Sequence, residues 1–117
     1  MVFVGISGAF SVLFGAWLAH AGQGLPLEQQ TRLASALQYQ FLHTLALMAS
    51  IIWYQYRASK IVFLAMLGFV LGIILFSGSL YLKTLLNIDE LSQLAPLGGT
   101  IFAISWILVA IAGNKHL

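Results

Sequence analysis

Apolar residues run along this chain in four long blocks, and polar residues mark the gaps between them. The blocks cover residues 2–21, 33–56, 61–82 and 95–113. A helix that crosses a bilayer needs about 20 mainly apolar residues, and each block has that length. The charged side chains fall outside: Glu28 and Arg32, then Arg57 and Lys60, then Lys83, Asp89 and Glu90, then Lys115. A charge at the centre of a membrane helix costs about 2.5–3.5 kcal/mol on insertion scales. The pattern therefore predicts an all-α membrane protein, with four transmembrane helices in one antiparallel bundle spanning residues 1–117.

The gaps sharpen the boundaries. "AGQGLPLEQQ" carries two glycines and then Pro26, a residue suited to the first turn of a helix. Glu28 falls in that turn, where the helix dipole favours an acid. It stands four residues before Arg32, a helical ion-pair spacing. The second helix should thus start outside the membrane near Pro26 and reach lipid around Leu37. The short turn "YQYRASK" makes the second and third helices antiparallel neighbours. "NIDELSQLAP" supplies the last turn, with room for one short helical turn before Pro96. Arg57, Lys60 and Lys115 fall on the same side as the amino terminus, while all three acids fall on the other with Arg32 and Lys83. The positive-inside rule then places both termini in the cytoplasm. A signal peptide would need a basic start and a shorter apolar run. "MVFVGISGAF" has no Lys or Arg, so the first helix is expected to be retained.

Composition adds mainly exclusions. Charged residues make up 7% of the chain, against about 25% in soluble domains, too few to keep it soluble as a monomer. A net charge of +2 without a basic stripe gives no footprint for nucleic acid. The absence of cysteine removes a disulfide frame, a thiolate metal site and a cysteine nucleophile. Zinc needs three or four ligands, and only His20 and His43 fall toward one end. A bis-histidine haem fails too, since these two sit about 9 Å apart in depth at 1.5 Å per residue. No acid lies inside a block, so the carboxylate relay of ion carriers is missing. No metal, cofactor or catalytic set is expected.

One block breaks the apolar pattern. "LQYQFLHTLALM", residues 37–48, places Gln38, Tyr39, Gln40, His43 and Thr44 in a greasy helix. Tyr39, Gln40 and His43 share a face with Ala36, Leu47 and Ser50 by the three-and-four rule. His20, Ser77, Ser79, Tyr81 and Thr100 fall toward the same outer end of their helices. These eight residues, His43, Gln40, Tyr39, Ser77, Ser79, Tyr81, His20 and Thr100, are expected to form a polar pocket in the outer leaflet. An ionisable residue inside a membrane marks function by default, yet His, Gln, Ser and Thr also bond helices together. Both readings of His43 stay open here. Gly8 and Gly15, Gly68 and Gly72, and Gly98 and Gly99 read as helix-packing positions, where small residues let backbones approach. Trp106 is too deep for an interfacial belt and is expected to pack.

"FGAWLAH", "ALQYQFLHTLALM", "GIILFSGSLYL" and "LAPLGGTIFAISWILVA" together resemble the small membrane proteins called domain of unknown function 423, also UPF0382. Eukaryotic transmembrane protein 256 is similar to that family. The combination of Y-Q-x-x-H, L-F-S-G-S-L-Y and P-L-G-G carries the likeness over nearly the whole chain. Trp17 and Leu18 depart from the family's usual G-A-F-G-A-H, and Ala95 stands where Thr is frequent. The resemblance implies a four-helix bundle in the bacterial inner membrane, with His20, Gln40, His43, Ser77, Ser79, Tyr81, Pro96, Gly98 and Gly99 as signature positions. It brings no reaction. Three functions compete: a small binding or transport-related bundle, an accessory subunit of a larger membrane complex, and, more remotely, a lipid-acting enzyme. The partners expected are the lipid bilayer and either further copies of the chain or a larger complex.

Overall fold

A computed structural model describes residues 1–116 of the chain, and these form four long helices. The first helix spans Val2–His20 and ends in a tight 3₁₀ turn, Ala21–Gly24. The second spans Leu27–Tyr56. The third runs from Lys60 to Leu86, with a π-helical stretch, Ile73–Gly78, in its middle. After a 3₁₀ turn at Asp89–Gln93, the fourth helix spans Leu94–His116.

The ends follow from local chemistry. Pro26 sits immediately before the second helix, where its missing N–H would have had no partner anyway. Glu28 pairs with Arg32 across one helical turn at 3.2 Å. Ser59 caps the third helix, its hydroxyl oxygen accepting from the Val62 N–H at 3.1 Å. That helix runs to Leu86, past the expected end at 82, and stops at Asn87, which adopts a left-handed conformation (φ 56°). Asn tolerates that region better than most residues and often ends helices this way.

The first helix packs on the second, and the third lies against both the second and the fourth. Leu47, Ala65, Phe69, Ile73 and Phe102 form the dry centre, with Phe3 and Val4 of the first helix resting on it. The outer faces are studded with exposed Val12, Leu13, Ile52, Leu64, Leu71, Ile104 and Ile107. Three of the helical segments are long and apolar enough to cross a membrane: Val2–Gly24, Lys60–Leu86 and Asp89–Lys115. The second helix is the longest single α-helix, at 30 residues, but its centre is polar and that polarity is turned inward.

Close packing singles out some of the expected glycines and releases others. A Cβ on Gly68 would collide with Ser105, one on Gly72 with the Phe102 ring, and one on Gly98 with the Phe76 backbone. Gly15 faces Leu37 with little room, whereas a Cβ on Gly8 would meet nothing within 4 Å and one on Gly99 only Phe76 Cδ2 at 3.8 Å. Gly8 and Gly99 are therefore not close-approach positions. The buried face of the first helix runs through Ser7, Ser11, Leu18 and Gly22, which points Gly8 away from its neighbours.

Candidate functional site: a polar layer and the cleft beside it

The side chains of "LQYQFLHTLALM" divide between two separate arrangements. The first is a hydrogen-bonded chain joining three helices. Tyr81 donates its phenolic O–H to Gln40 Oε1 at 2.6 Å. The Gln40 amide N–H₂ donates to Ser7 Oγ at 3.0 Å, with the Ser7 carbonyl at 3.5 Å. Ser7 and Thr44 hydroxyls lie 2.7 Å apart. Thr44 donates to the Gln40 carbonyl at 2.6 Å, and a carbonyl only accepts. The Thr44 proton is thus committed, so Ser7 donates to Thr44. The Gln40 amide turns both N–H groups toward Ser7, each hydroxyl in the chain donates once, and the direction of every bond is fixed. Ser11 joins from the next turn by donating to the Ser7 carbonyl at 2.8 Å.

The second arrangement holds His43. Its Nδ1 lies 2.7 Å from the Tyr39 carbonyl, and its Nε2 lies 3.0 Å from Trp106 Nε1. A carbonyl can only accept and an indole N–H can only donate. The proton therefore sits on Nδ1, Nε2 offers its lone pair to Trp106, and the ring is neutral. His43 stacks on Phe102 with centroids 3.6 Å apart and planes 12° apart. Tyr39 stacks more loosely at 5.8 Å. With 3% of its surface exposed, the imidazole is dry and both its nitrogens are engaged.

The eight expected pocket residues do not gather in one place. Gln40 and Tyr81 meet directly. Ser77 sits nearby but donates to the Ala36 carbonyl at 2.7 Å, tying the π-helical stretch to the second helix. Ser79 turns back on its own helix, to the Phe76 carbonyl at 3.0 Å. His43 faces the fourth helix rather than Ser77 and Ser79. Tyr39 is partly exposed, its ring resting on Phe76 and Phe102, and His20 is exposed. Thr100 is exposed too and bonds the Pro96 carbonyl, one turn back, at 2.9 Å. Among the described residues, no three His, Asp or Glu side chains cluster as a metal site.

Along the second helix, His43 lies about 16 Å from Arg32 and about 21 Å from Arg57 at 1.5 Å per residue. Arg32 reaches Thr84 Oγ1 at 3.4 Å near the C-terminal end of the third helix. His43 is thus near the middle of the second helix, and Gln40 lies nearly one turn closer to Arg32. Sequence reasoning missed Ser7, Thr44 and Phe102 as participants, and it gave Trp106 a packing role alone. The i, i+4 pair Ser7 and Ser11 was the available signal for the first of these.

Beside the polar layer lies a cleft of about 490 Å³ between the first and third helices. Phe3, Ile6, Ser7 and Phe10 form one wall, and Ile74, Gly78, Tyr81 and Leu82 form the other. Gln40 stands behind them, and Leu91 and Leu94 of the last turn also line it. Ile6, Phe10, Ile74 and Leu82 are each exposed on the bundle surface, so the cleft opens sideways, toward lipid. Phe10 meets the Tyr81 ring edge-on at 5.5 Å, and Phe14 meets it at 5.0 Å, bridging the two helices beside the cleft.

A family model described as protein of unknown function (DUF423) matches residues 14–99, from Phe14 to Gly99. The chain belongs to this family. Relatives agree over nearly the full length. A UPF0382 membrane protein of Haemophilus influenzae is 34% identical over 98% of this chain and 93% of its own. The UPF0382 membrane protein YwdK of Bacillus subtilis is 34% identical over 96% of this chain and 93% of its own. The UPF0382 inner membrane protein YgdD of Escherichia coli K12 is 31% identical over 98% of this chain and 88% of its own. No solved structure matches. With its apolar helices, this DUF423 chain is a multi-pass integral protein of the bacterial inner membrane. The matched region of the DUF423 family contains Gln40, His43, Ser77 and Tyr81, while their partners Ser7 and Trp106 lie outside it.

Proposed function

We propose that the chain spans the membrane four times with both termini in the cytoplasm, and that it works as a binding protein for a lipid-soluble guest. The observation that carries this reading is the cleft of about 490 Å³ between the first and third helices. Its volume falls in the range of sites for single small ligands, about 300–1,000 Å³. Its mouth opens on lipid, and its walls are apolar except where Ser7, Gln40, Ser77, Ser79 and Tyr81 stand. Passage of a polar solute draws no support from the same geometry. His43 is dry and doubly bonded, and the donors of the Gln40 layer are committed to protein acceptors.

The binding reading is tested by native mass spectrometry of the chain released from mild detergent. The wild type is expected to carry bound lipid. Gly78 lines the cleft, and a Cβ there would meet only a carbonyl oxygen at 4.0 Å, so Gly78→Leu should fill the space and shed the lipid. Bare wild-type protein, or equal loading of the two, would sink the reading. The topology is tested separately by labelling single cysteines introduced into this cysteine-free chain. Gly24→Cys and Ala58→Cys flank the second helix. An impermeant maleimide should reach the first from outside and the second only after lysis. Labelling of both from one side would remove the second helix as a span, and the reverse pattern would invert the orientation.

The accessory reading has one specific observation in its favour. The interior is bonded tightly, with His43 tied to Trp106 and Ser77 to Ala36, as suits a rigid packing subunit. Crosslinking in native membranes that captures only single chains would remove it.

A further inference from the structure

Resting on the binding reading above, the geometry points to the class of guest: we infer that the cleft takes a neutral, chain-bearing amphiphile with a hydroxyl head, such as a monoacylglycerol.

None of the cleft residues carries a charge. A phosphate or carboxylate head would meet no cation there, and an ammonium head would meet no acid. Burying either charge without a partner is prohibitive. The polar atoms that do line the cleft have spent their protons. Tyr81 donates to Gln40, Gln40 to Ser7, Ser77 to Ala36 and Ser79 to Phe76. Ser7 donates to Thr44, because the Thr44 proton is held by the Gln40 carbonyl. What remains free is acceptor capacity: a lone pair on Tyr81 Oη, a second lone pair on Gln40 Oε1, and the oxygen of Ser79. A guest that gains a hydrogen bond from such a wall must bring the donor. Esters and ethers bring none. A hydroxyl brings one and adds no charge, and the apolar remainder of the cleft suits a hydrocarbon tail.

The side opening fixes the route. A guest that is already dissolved in the bilayer slides between Ile6 and Ile74 without crossing water.

The test is thermal unfolding of the full chain in mild detergent with three defined probes. These are a monoacylglycerol, the same molecule with both hydroxyls methylated, and the corresponding lysophosphatidic acid. At about a hundredfold excess over Kd, the monoacylglycerol should raise the melting temperature by roughly 5 °C or more. The methylated and anionic probes should leave it nearly unchanged. Gly78→Leu, which occupies the cleft without touching the polar atoms, should abolish the rise. Tyr81→Phe should reduce the rise several-fold. Equal shifts from the monoacylglycerol and its methylated form would overturn the donor rule, while leaving the cleft as a lipid site. A larger shift from the anionic probe would overturn the neutral-head assignment. No shift from any probe, or an undiminished shift in Gly78→Leu, would overturn this inference and the binding reading together.

Discussion

Gly98 and Gly99 are neighbours in sequence, yet alanine at the two positions should act in opposite directions. A Cβ on Gly98 would lie 2.8 Å from both Cα and Cβ of Phe76, and closer still to its backbone nitrogen. Carbon atoms pack favourably at about 3.5–4.0 Å, so the fourth helix would have to retreat by roughly 0.7–1.2 Å on that distance scale. The opposing atoms are mostly backbone and cannot rotate away. Phe76 lies in the π-helical stretch, which is held by the Ser77 hydroxyl on the Ala36 carbonyl at 2.7 Å. Overpacking of this kind costs about 1–3 kcal/mol, and a backbone collision belongs at the upper end. Alanine returns about 0.8–1 kcal/mol of helix propensity, which leaves a net loss of about 2 kcal/mol for Gly98→Ala. At Gly99 the nearest atom to a new Cβ is Phe76 Cδ2 at 3.8 Å, an ordinary contact. Gly99→Ala should keep the propensity gain and be about 0.5–1 kcal/mol more stable than wild type. Reversible unfolding in mixed micelles, followed by tryptophan fluorescence, measures both. Equal stability of the two variants, or a Gly98→Ala as stable as wild type, would refute the close approach at Phe76.

A second expectation concerns the His43–Trp106 bond, which a double-mutant cycle of Trp106→Phe and His43→Phe isolates. Membrane hydrogen bonds average about 0.6 kcal/mol and reach about 1.7. Because Trp106 supplies the only donor to Nε2 among the described residues, a coupling of about 1–1.7 kcal/mol is expected, and one below about 0.3 would contradict the assigned geometry. At the start of the second helix, Glu28 is 85% exposed and, among the described residues, pairs with Arg32 alone. Glu28→Gln should change stability by no more than about 0.5 kcal/mol, and a loss in melting experiments well beyond that would mean that Glu28 has another partner.

The four helical blocks were legible because lipid leaves the chain few options. Charges must sit outside the spans, and the turns at Pro26, Ser59 and Asn87 carry ordinary capping chemistry. The inward face of the second helix was legible as well, since of Ala36, Tyr39, Gln40, His43, Leu47 and Ser50, which share a face by helical spacing, all but Tyr39 are buried. The rotation of the first helix was not. Its small residues are spread around the helix, and the spacing favoured Gly8 and Gly15, whereas the face that meets the Gln40 amide is that of Ser7. The partner of His43 was hidden for a similar reason. Trp106 is far away in sequence, and nothing local tells which flank of the second helix the fourth helix occupies. The π-helical stretch has no plain sequence signature. It is visible only through its consequence, a backbone close enough to the fourth helix to demand Gly98.

The polar centre of the second helix now has a physical reason. One after another, its groups bond to all three of the other helices: Gln40 and Thr44 to Ser7, Gln40 and the Ala36 carbonyl to Tyr81 and Ser77, and His43 to Trp106. Helix association in lipid lacks the hydrophobic drive it has in water and relies on packing and such bonds. This explains why the second helix falls outside the group apolar enough to cross a membrane by composition. Its amide and imidazole are acceptable only when the other three helices are in place. The same hub produces the cleft. The first helix is fastened mainly to the second, and it reaches the third chiefly through Tyr81, by the Phe10 and Phe14 rings. Elsewhere these two helices need not close on each other, and the space left between them is the cleft that the second helix backs with Gln40.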